Sequence, residues 1–110
     1  MGVPQTEFRR LALSLANAVE VPHFEISSFR FNKKIFATLW EKENRAMLKL
    51  TEVDQSVFCS NDKSVFYPVP NAWGKKGATL VDLSKVRKDI LTDALQLAYN
   101  DVINNKKVNK

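Results

Sequence analysis

Two short lysine-containing segments carry the residues of this sequence best suited to binding chemistry. Asn32-Lys33-Lys34 separates two apolar runs, and Trp73-Gly74-Lys75-Lys76-Gly77 joins an aromatic ring to two further lysines. Ammonium groups at the tips of two hairpins neutralise phosphates and release counterions, while a flexible loop follows a nucleic-acid groove. The segments therefore predict a nucleic-acid-binding surface made of Lys33, Lys34, Trp73, Lys75 and Lys76. The alternative is that the lysines only aid solubility and that Trp73 folds back over the core.

Two aromatic residues of one apolar run suggest a different kind of partner. Phe36 and Trp40 lie four residues apart, so they share a face if that run is a strand. Left uncovered by helices, this face would form the exposed apolar patch that marks a protein partner or self-association. Phe36 and Trp40 thus predict, as the alternative function, a protein-interaction adaptor or a chaperone-like homodimer. Packing of both rings against neighbouring strands or a loop would remove that patch.

Little in the sequence supports catalysis. His23 has no cysteine, serine or acidic pair close by in sequence, and Cys59 beside Phe58 is typical of a buried, unreactive thiol. The sequence contains no phosphate-binding loop or glycine-rich dinucleotide turn, and one histidine with one cysteine excludes the usual four-ligand zinc site. We therefore predict a non-enzymatic protein with no catalytic residue, cofactor or metal. An enzyme would require a pocket that brings His23 to an acid and a hydroxyl group.

The positive charge of the chain is concentrated in its second half. The 110 residues contain 17 lysines and arginines against 12 acidic residues, and residues 56–110 account for +4 of the net +5. Three of these lysines lie in the polar stretch 104–110, without which the net charge is +2. Since a polar terminus that aids solubility gives the same total, net charge alone does not establish nucleic-acid binding. No apolar run approaches the roughly 20 residues of a membrane span, so we expect a cytoplasmic protein without membrane contact.

The apolar periodicity predicts the elements that position these residues. Residues 4–20 repeat apolar side chains at steps of three and four, which predicts an amphipathic helix ended by Val21-Pro22. Residues 23–51 change to a period of two and predict three strands, with a bulge or bend at Ser27-Ser28 and a tight hairpin at Asn32-Lys33. The second of these strands has apolar residues on both faces, so we expect it to be central in the sheet.

The second half of the chain predicts two more helices and two more strands. Thr51 and Asp54 have the spacing of a capping box at the start of a short helix. A strand then runs into Pro68, a loop leads to a fifth strand over residues 78–83, and Ser84 caps a final helix. Together these elements predict a two-layer α+β fold, α-β(3)-α-β(2)-α, with one antiparallel five-stranded sheet covered by helices on one face. We assign residues 1–103 to a single domain and 104–110 to a polar basic C-terminal tail.

Motifs spread over nearly the whole chain add a resemblance to these inferences. In chain order they are Pro22 with Glu25, Phe29, Lys34-Ile35-Phe36-Ala37, Leu48-Lys49-Leu50, Phe66-Tyr67-Pro68-Val69-Pro70, the Trp73-Gly74 loop, Ala78-Thr79-Leu80-Val81-Asp82-Leu83 and Ala98-Tyr99. In combination they resemble the MmcQ/YjbR family of small bacterial proteins. The family typically has a serine before the tyrosine and often a tryptophan in the fifth strand, where this chain has Ala98 and Thr79 or a neighbour. The resemblance implies a double-wing, CyaY-like fold similar to that of secretion chaperones. It also carries a suggested DNA-binding role for a family whose members are largely uncharacterised.

Overall fold

One antiparallel sheet organises the described part of the chain. The computed structural model describes residues 2–23 and 26–108, and the side chains of these residues except at 23 and 105–108. In chain order the elements are α1 Gln5–Leu13, β1 Ala18–His23, β2 Ile26–Phe31, β3 Lys34–Trp40, a 3-10 turn Glu41–Glu43, β4 Arg45–Lys49, α2 Glu52–Asn61, β5 Phe66–Pro68, α3 Ala72–Lys75, β6 Ala78–Asp82 and α4 Lys88–Val108. Neighbouring strands are antiparallel, in the order β1-β2-β3-β4-β6-β5. The α+β class agrees with the prediction, but the sheet has six strands rather than five.

The sixth strand lies where the sequence predicted the end of the first helix. α1 ends at Leu13, well before the predicted stop at Pro22, and the next residues form β1. Val19 continues the helical spacing of Leu11 and Leu15, but it also begins a strand alternation with Val21. Because so short an apolar pattern suits both periods, pairing with β2 decides the outcome. Pro22 is tolerated because β1 is an edge strand, where a missing N–H need not interrupt the ladder.

The irregularity in the sheet is displaced from its predicted position. Ser27 and Ser28 pair regularly with β3, so the prediction of a bulge there is wrong. The register instead shifts between Phe29 and Arg30, where Phe36 is the extra residue of β3. An inserted residue changes which side chains of its strand share a face. As a result Phe36 is fully buried beneath the helices.

The turn and cap predictions in the middle of the chain are confirmed. Asn32 and Lys33 form the β2–β3 hairpin with φ values of 53° and 72°, the two positive angles that a type I′ turn requires. Thr51 Oγ1 accepts a hydrogen bond from the backbone N–H of Asp54 at 3.1 Å and caps α2. Both devices depend only on neighbouring residues, which is why the sequence reveals them.

The start of the last helix differs from the prediction. Ser84 was expected as its cap, but α4 begins at Lys88. The backbone N–H of Ser84 donates to Asp82 Oδ1 at 2.9 Å, and this local bond forms a turn directly after β6. The backbone of α4 continues to Val108. The division of the chain at residue 103 stays a prediction.

Helices cover one face of the sheet, as predicted. The ring of Phe8 on α1 packs edge-on against Phe29 of β2 at 5.5 Å, and Tyr99 of α4 packs at the same distance against Phe31. α2 covers the β5 side of this face, where Phe58 lies against a strand aromatic at 5.2 Å. The opposite side of the sheet, called the open face below, carries the alternate residues of the strands, which include Ile26, Ser28, Thr38, Trp40, Arg45, Met47, Tyr67 and Leu80.

Candidate functional site

The two lysine segments predicted from the sequence lie at the same end of the sheet. Lys49 at the end of β4 pairs with Ala78 at the start of β6, and Pro68 at the end of β5 lies beside them. β3, antiparallel to β4, begins at this same end with Lys34. We call this end, with the Asn32-Lys33 turn and the connection from Val69 to Gly77, the lysine end. The antiparallel register therefore brings together segments some 40 residues apart in sequence.

A groove of about 630 Å³ opens on the open face beside the lysine end. Lys33, Lys34 and Lys49 line it together with Trp73, and its floor includes Trp40. Thr38 and Met47 continue this floor along the open face. The structure thus brings three of the predicted nucleic-acid residues to one cavity and adds the predicted protein-contact residue Trp40 to the same place.

Lys49 lines this groove although it is not among the site residues predicted from the sequence. It alternates with Leu48 and Leu50, both of which are buried in the core. A lysine between two core leucines of a strand must point to the other face. The signal was therefore present in the sequence, but its nearness to Lys33 depends on strand order.

Lys75 and Lys76 are separated from this groove. Lys75 lines a different depression of about 650 Å³ with Gln55 of α2, and Lys76 lines neither cavity. The reason is α3, the single helical turn of the connection, in which Trp73 and Lys75 are two residues apart. Two helical residues at this spacing point about 200° apart around the axis. The five predicted residues hence share one end of the sheet without sharing one cavity.

Short-range contacts anchor the connection that carries Trp73. The Asn71 side chain accepts the backbone N–H of Trp73 at 2.8 Å, and the Gln55 amide donates to the Gly74 carbonyl at 2.8 Å. A Cβ at Gly74 would lie 1.8 Å from the Val69 carbonyl oxygen, so this position requires glycine. The indole of Trp73 is nevertheless 62% exposed. An anchored backbone therefore holds an exposed aromatic ring at the edge of the groove.

The lysines of the lysine end form no ion pair among the side chains that the structure describes. These lysines are at positions 33, 34, 49, 75 and 76. Asp101 of α4 is the one carboxylate residue lining the groove among the described side chains. A cluster of ammonium groups this close together repels itself in the free protein and attracts an anionic ligand.

Acids and bases are paired at the other end of the sheet. Arg9 forms ion pairs with Glu20 and with Glu41 of the 3-10 turn, and Arg45 pairs with Glu43 beside it. We call this end, around residues 41–45 and 82–89, the ion-pair end. Its pairs link α1 to the strands and to the turn between them.

One carboxyl group of this ion-pair end has a strongly shifted pKa. Hydrogen bonds from Arg10 and from Lys88 lower the pKa of Glu7 to about 2 from its ordinary value of 4.5. Lys88 Nζ lies 2.9 Å from the Glu7 carboxylate and so connects α1 to the first turn of α4. The acidic residues at this end are thus committed to contacts within the protein.

The floor of the groove is fixed by contacts of Trp40. Its indole N–H donates to Thr38 Oγ1 at 2.8 Å, and the Arg45 guanidinium lies 5.5 Å from the ring centroid. A guanidinium over an aromatic ring is attracted by the electron density of its face. Trp40 is half-buried on the open face.

Phe36 does not belong to the exposed surface, and the prediction that it contacts a partner beside Trp40 is wrong. Its side chain has no exposed area, and its ring packs edge-on against Tyr99 of α4 at 5.5 Å. The bulge at the Phe29/Arg30 step rotates this residue to the helix side. Trp40, which pairs with Ile26 and Arg45, remains on the open face.

No reactive constellation appears among the described side chains. The Cys59 thiol is half-buried, and burial raises its pKa above the ordinary value. The His23 side chain lies outside the described residues, so the expectation of a pocket around it is neither supported nor opposed. Among the described residues, no three histidine, cysteine or carboxylate side chains are grouped to hold a metal ion. Nor does any helix in that part of the chain have the length and apolar character needed to cross a bilayer.

Comparison with known proteins agrees with this architecture. A family model described as YjbR matches residues 13–101. Among solved structures, the crystal structure of Deinococcus radiodurans protein DR2400, described with the domain DUF419, superposes with a TM-score of 0.74 at 18% identity over 86% of this chain and 75% of that one. No curated protein matches the chain. The fold is therefore shared with DR2400, and, since the family match spans most of its length, the chain belongs to the YjbR family.

Proposed function

We propose that this YjbR-family protein binds nucleic acid through phosphate contacts at the lysine end and acts as a binding module rather than as an enzyme. The observation that carries the proposal is the grouping of Lys33, Lys34 and Lys49 around one groove without ion-pair partners in the described residues. Lys75 and Lys76 extend the positive surface beyond the groove along the same end of the sheet. A polyanion that crosses this end relieves the repulsion among these groups and releases its own counterions.

Lysine contacts of this kind do not read sequence. Ammonium groups act as point charges on phosphate oxygens, whereas base recognition requires oriented donors and acceptors that reach base edges. Four of the five arginines, at positions 9, 10, 45 and 87, are each engaged with carboxylates of the protein itself, and Arg30 donates its Nε–H to Ser28 Oγ at 3.0 Å. We therefore expect binding that depends strongly on salt and weakly on base sequence.

Two charge-reversal variants with equal net charge test the proposal. Lys33→Glu/Lys49→Glu reverses the groove, and Lys63→Glu/Lys85→Glu reverses two exposed lysines towards the ion-pair end, so both variants carry +1 instead of +5. We expect the affinity of the first variant for a labelled DNA oligonucleotide to be at least about tenfold lower. The magnitude of its slope of log affinity against log salt should fall by about two. The control variant should lose much less, because it leaves the local cluster intact.

Fluorescence anisotropy at a series of salt concentrations, with single-stranded and duplex oligonucleotides, measures both quantities. Equal losses in the two variants would mean that only the total charge matters and would contradict a localised site. The absence of binding by the unmodified protein at low ionic strength would contradict nucleic-acid binding altogether.

An apolar strip on the open face supports a second candidate, association with a protein or with a second copy. Val19 and Val21 of the edge strand β1 are 51% and 38% exposed, and Ile26 beside Trp40 is 43% exposed. Edge strands with exposed apolar residues favour pairing with another chain. Sedimentation velocity should then detect a dimer that Val19→Lys/Val21→Lys converts to a monomer, whereas a monomer in both samples would exclude self-association through this edge.

A further inference from the structure

We infer that the groove at the lysine end takes a single-stranded nucleic acid, with a base stacked on Trp73 and the flanking phosphates on the surrounding lysines. This inference rests on the proposed function and specifies the form of its ligand. It depends on three features of the groove that are independent of net charge: an exposed ring, an apolar floor and the position of the lysines around both.

The first feature is the exposed ring on an anchored turn. Trp73 is 62% exposed although large aromatic side chains usually bury most of their surface. Its backbone cannot readily rearrange to hide it, because the Asn71 side chain caps the turn and Gly74 fits closely under the Val69 carbonyl. The Gln55 amide donates hydrogen bonds to the carbonyls of Gly74 and Ala78, at 2.8 and 3.1 Å. The backbone that carries the ring is therefore fixed before any ligand arrives, which lowers the entropy cost of stacking.

The second feature is the floor. Trp40 and Met47 line the groove from the open face, and the only polar hydrogen of the indole of Trp40 is already donated to Thr38. The side chains of Trp40 and Met47 therefore present an apolar, polarisable surface with no free donor of their own. Such a surface suits the face of a base and offers no specific partner for a base edge.

The third feature is the arrangement of charge. Lys33 and Lys34 line the groove from the β2–β3 turn, and Lys49 lines it from the end of β4. Phosphates of one strand can contact these groups while its base lies on Trp73. A duplex keeps its bases stacked inside and exposes its phosphates, so it contacts the lysines without using the ring or the floor.

An acidic peptide is the other polymer that these lysines would attract. Carboxylates are bound most specifically by the paired N–H groups of arginine. Arg45, which lies over the groove residue Trp40, is already committed to Glu43 and Tyr67. Arg30, which pairs with the groove residue Ile35, donates its Nε–H to Ser28 Oγ at 3.0 Å. The positive surface also continues past the groove to Lys75 and Lys76, which suits a ligand with a charge at every repeat. These observations favour a nucleic acid, and an acidic polymer serves as a comparison in the test.

Four labelled or competing probes separate base stacking from charge: single-stranded oligothymidine, an abasic oligonucleotide of equal length, a duplex of equal length and polyglutamate. At one salt concentration, we expect oligothymidine to bind about tenfold more tightly than the abasic strand or the duplex. Trp73→Ala should lower the affinity for oligothymidine about tenfold, without lowering the affinity for the other probes and without changing the salt slope. Trp73→Phe should retain most of the affinity for oligothymidine. In a Trp40→Phe background, oligothymidine should quench the fluorescence of Trp73.

The outcomes distinguish failure of this inference from failure of the proposed function. Equal binding of oligothymidine, duplex and abasic strand, with loss in Lys33→Glu/Lys49→Glu, would keep the phosphate site and overturn the stacking. Binding of polyglutamate that exceeds oligothymidine and depends on Trp73 would identify an acidic peptide site instead. No binding of any probe would overturn both. Thermal unfolding of Trp73→Ala checks that the exposed ring is not needed for folding.

Discussion

The two ends of the sheet are built alike but use charge in opposite ways. Each has a tight connection with left-handed asparagine, Asn32 at the lysine end and Asn44 at the ion-pair end, with φ of 53° in both. At the ion-pair end, Arg9 and Arg45 meet carboxylates of the protein itself. At the lysine end, no such pairs occur among the described residues. Charges that are paired internally serve folding, whereas grouped charges of one sign oppose it slightly, and we propose that an anionic partner offsets this repulsion.

The largest expected effect is at Gly77, and it tests how tightly the connection at the lysine end is packed. Gly77 has a φ of 112°, and a Cβ there would lie 1.9 Å from the Leu50 carbonyl oxygen. Gly77→Ala should therefore lower the free energy of unfolding by about 3 kcal/mol, from backbone strain and from the steric clash. Urea denaturation measures it, with Lys76→Ala as the adjacent control, for which we expect almost no change. A loss below about 1 kcal/mol in Gly77→Ala would mean that the connection relaxes easily.

Removal of a paired cation at the ion-pair end should have an intermediate effect. Arg9 holds Glu20 of β1 and Glu41 of the 3-10 turn, with its side chain only 29% exposed. We expect Arg9→Ala to lower the free energy of unfolding by about 1 kcal/mol. Arg10→Ala is the matched control, because Arg10 is 61% exposed and, among the described side chains, its ion pair is with Glu7 of the same helix. Equal losses in the two variants would show that the link between α1 and the strands adds no stability.

The pH dependence of unfolding should report the Glu7 contacts. Arg10 and Lys88 lower the pKa of the folded Glu7 to about 2, from 4.5 ordinarily. A lowered pKa gives stability that is complete above the unfolded pKa and is lost as pH falls through the folded one, here from about pH 4.5 to about pH 2. Glu7→Gln should accordingly melt below the unmodified protein at neutral pH and approach it at pH near 2. A carboxyl titration by NMR with a midpoint near 4.5 would exclude the shift.

The smallest expected effect on stability is at the lysines of the groove, and it bears directly on the contrast between the two ends of the sheet. Lys33→Ala and Lys49→Ala should change the free energy of unfolding by less than about 0.5 kcal/mol, because neither lysine forms an ion pair with a described side chain. Added salt should reduce even this difference, since it screens repulsion within the cluster. Thermal unfolding of both variants beside Arg9→Ala measures the contrast. Destabilisation as large as that of Arg9→Ala would assign these lysines to folding rather than to binding.

Local devices were predictable from the sequence, and non-local ones were not. The Asn32-Lys33 turn and the Thr51 cap each depend on a few adjacent residues, so their side-chain chemistry reveals them. β1 was missed because Val19 continues the helical spacing of Leu11 and Leu15 as well as it begins a strand alternation with Val21. The prediction that Phe36 lies on the exposed face is wrong because one inserted residue in β3 shifts the alternation, and no adjacent residue indicates the bulge.

The same distinction between local and non-local features applies to the candidate site. Amino-acid types alone identified the lysine segments, the tryptophan beside them and a sheet covered on one face, since these follow from charge, turn chemistry and apolar periodicity. Only the tertiary structure decided that Lys33, Lys49 and Trp73 line one groove and that Lys75 does not. Antiparallel register brings distant strand ends together, and a single helical turn directs residues two positions apart to opposite sides. Neither effect can be read from neighbouring residues, because both depend on how the strands pair and how the chain returns between them.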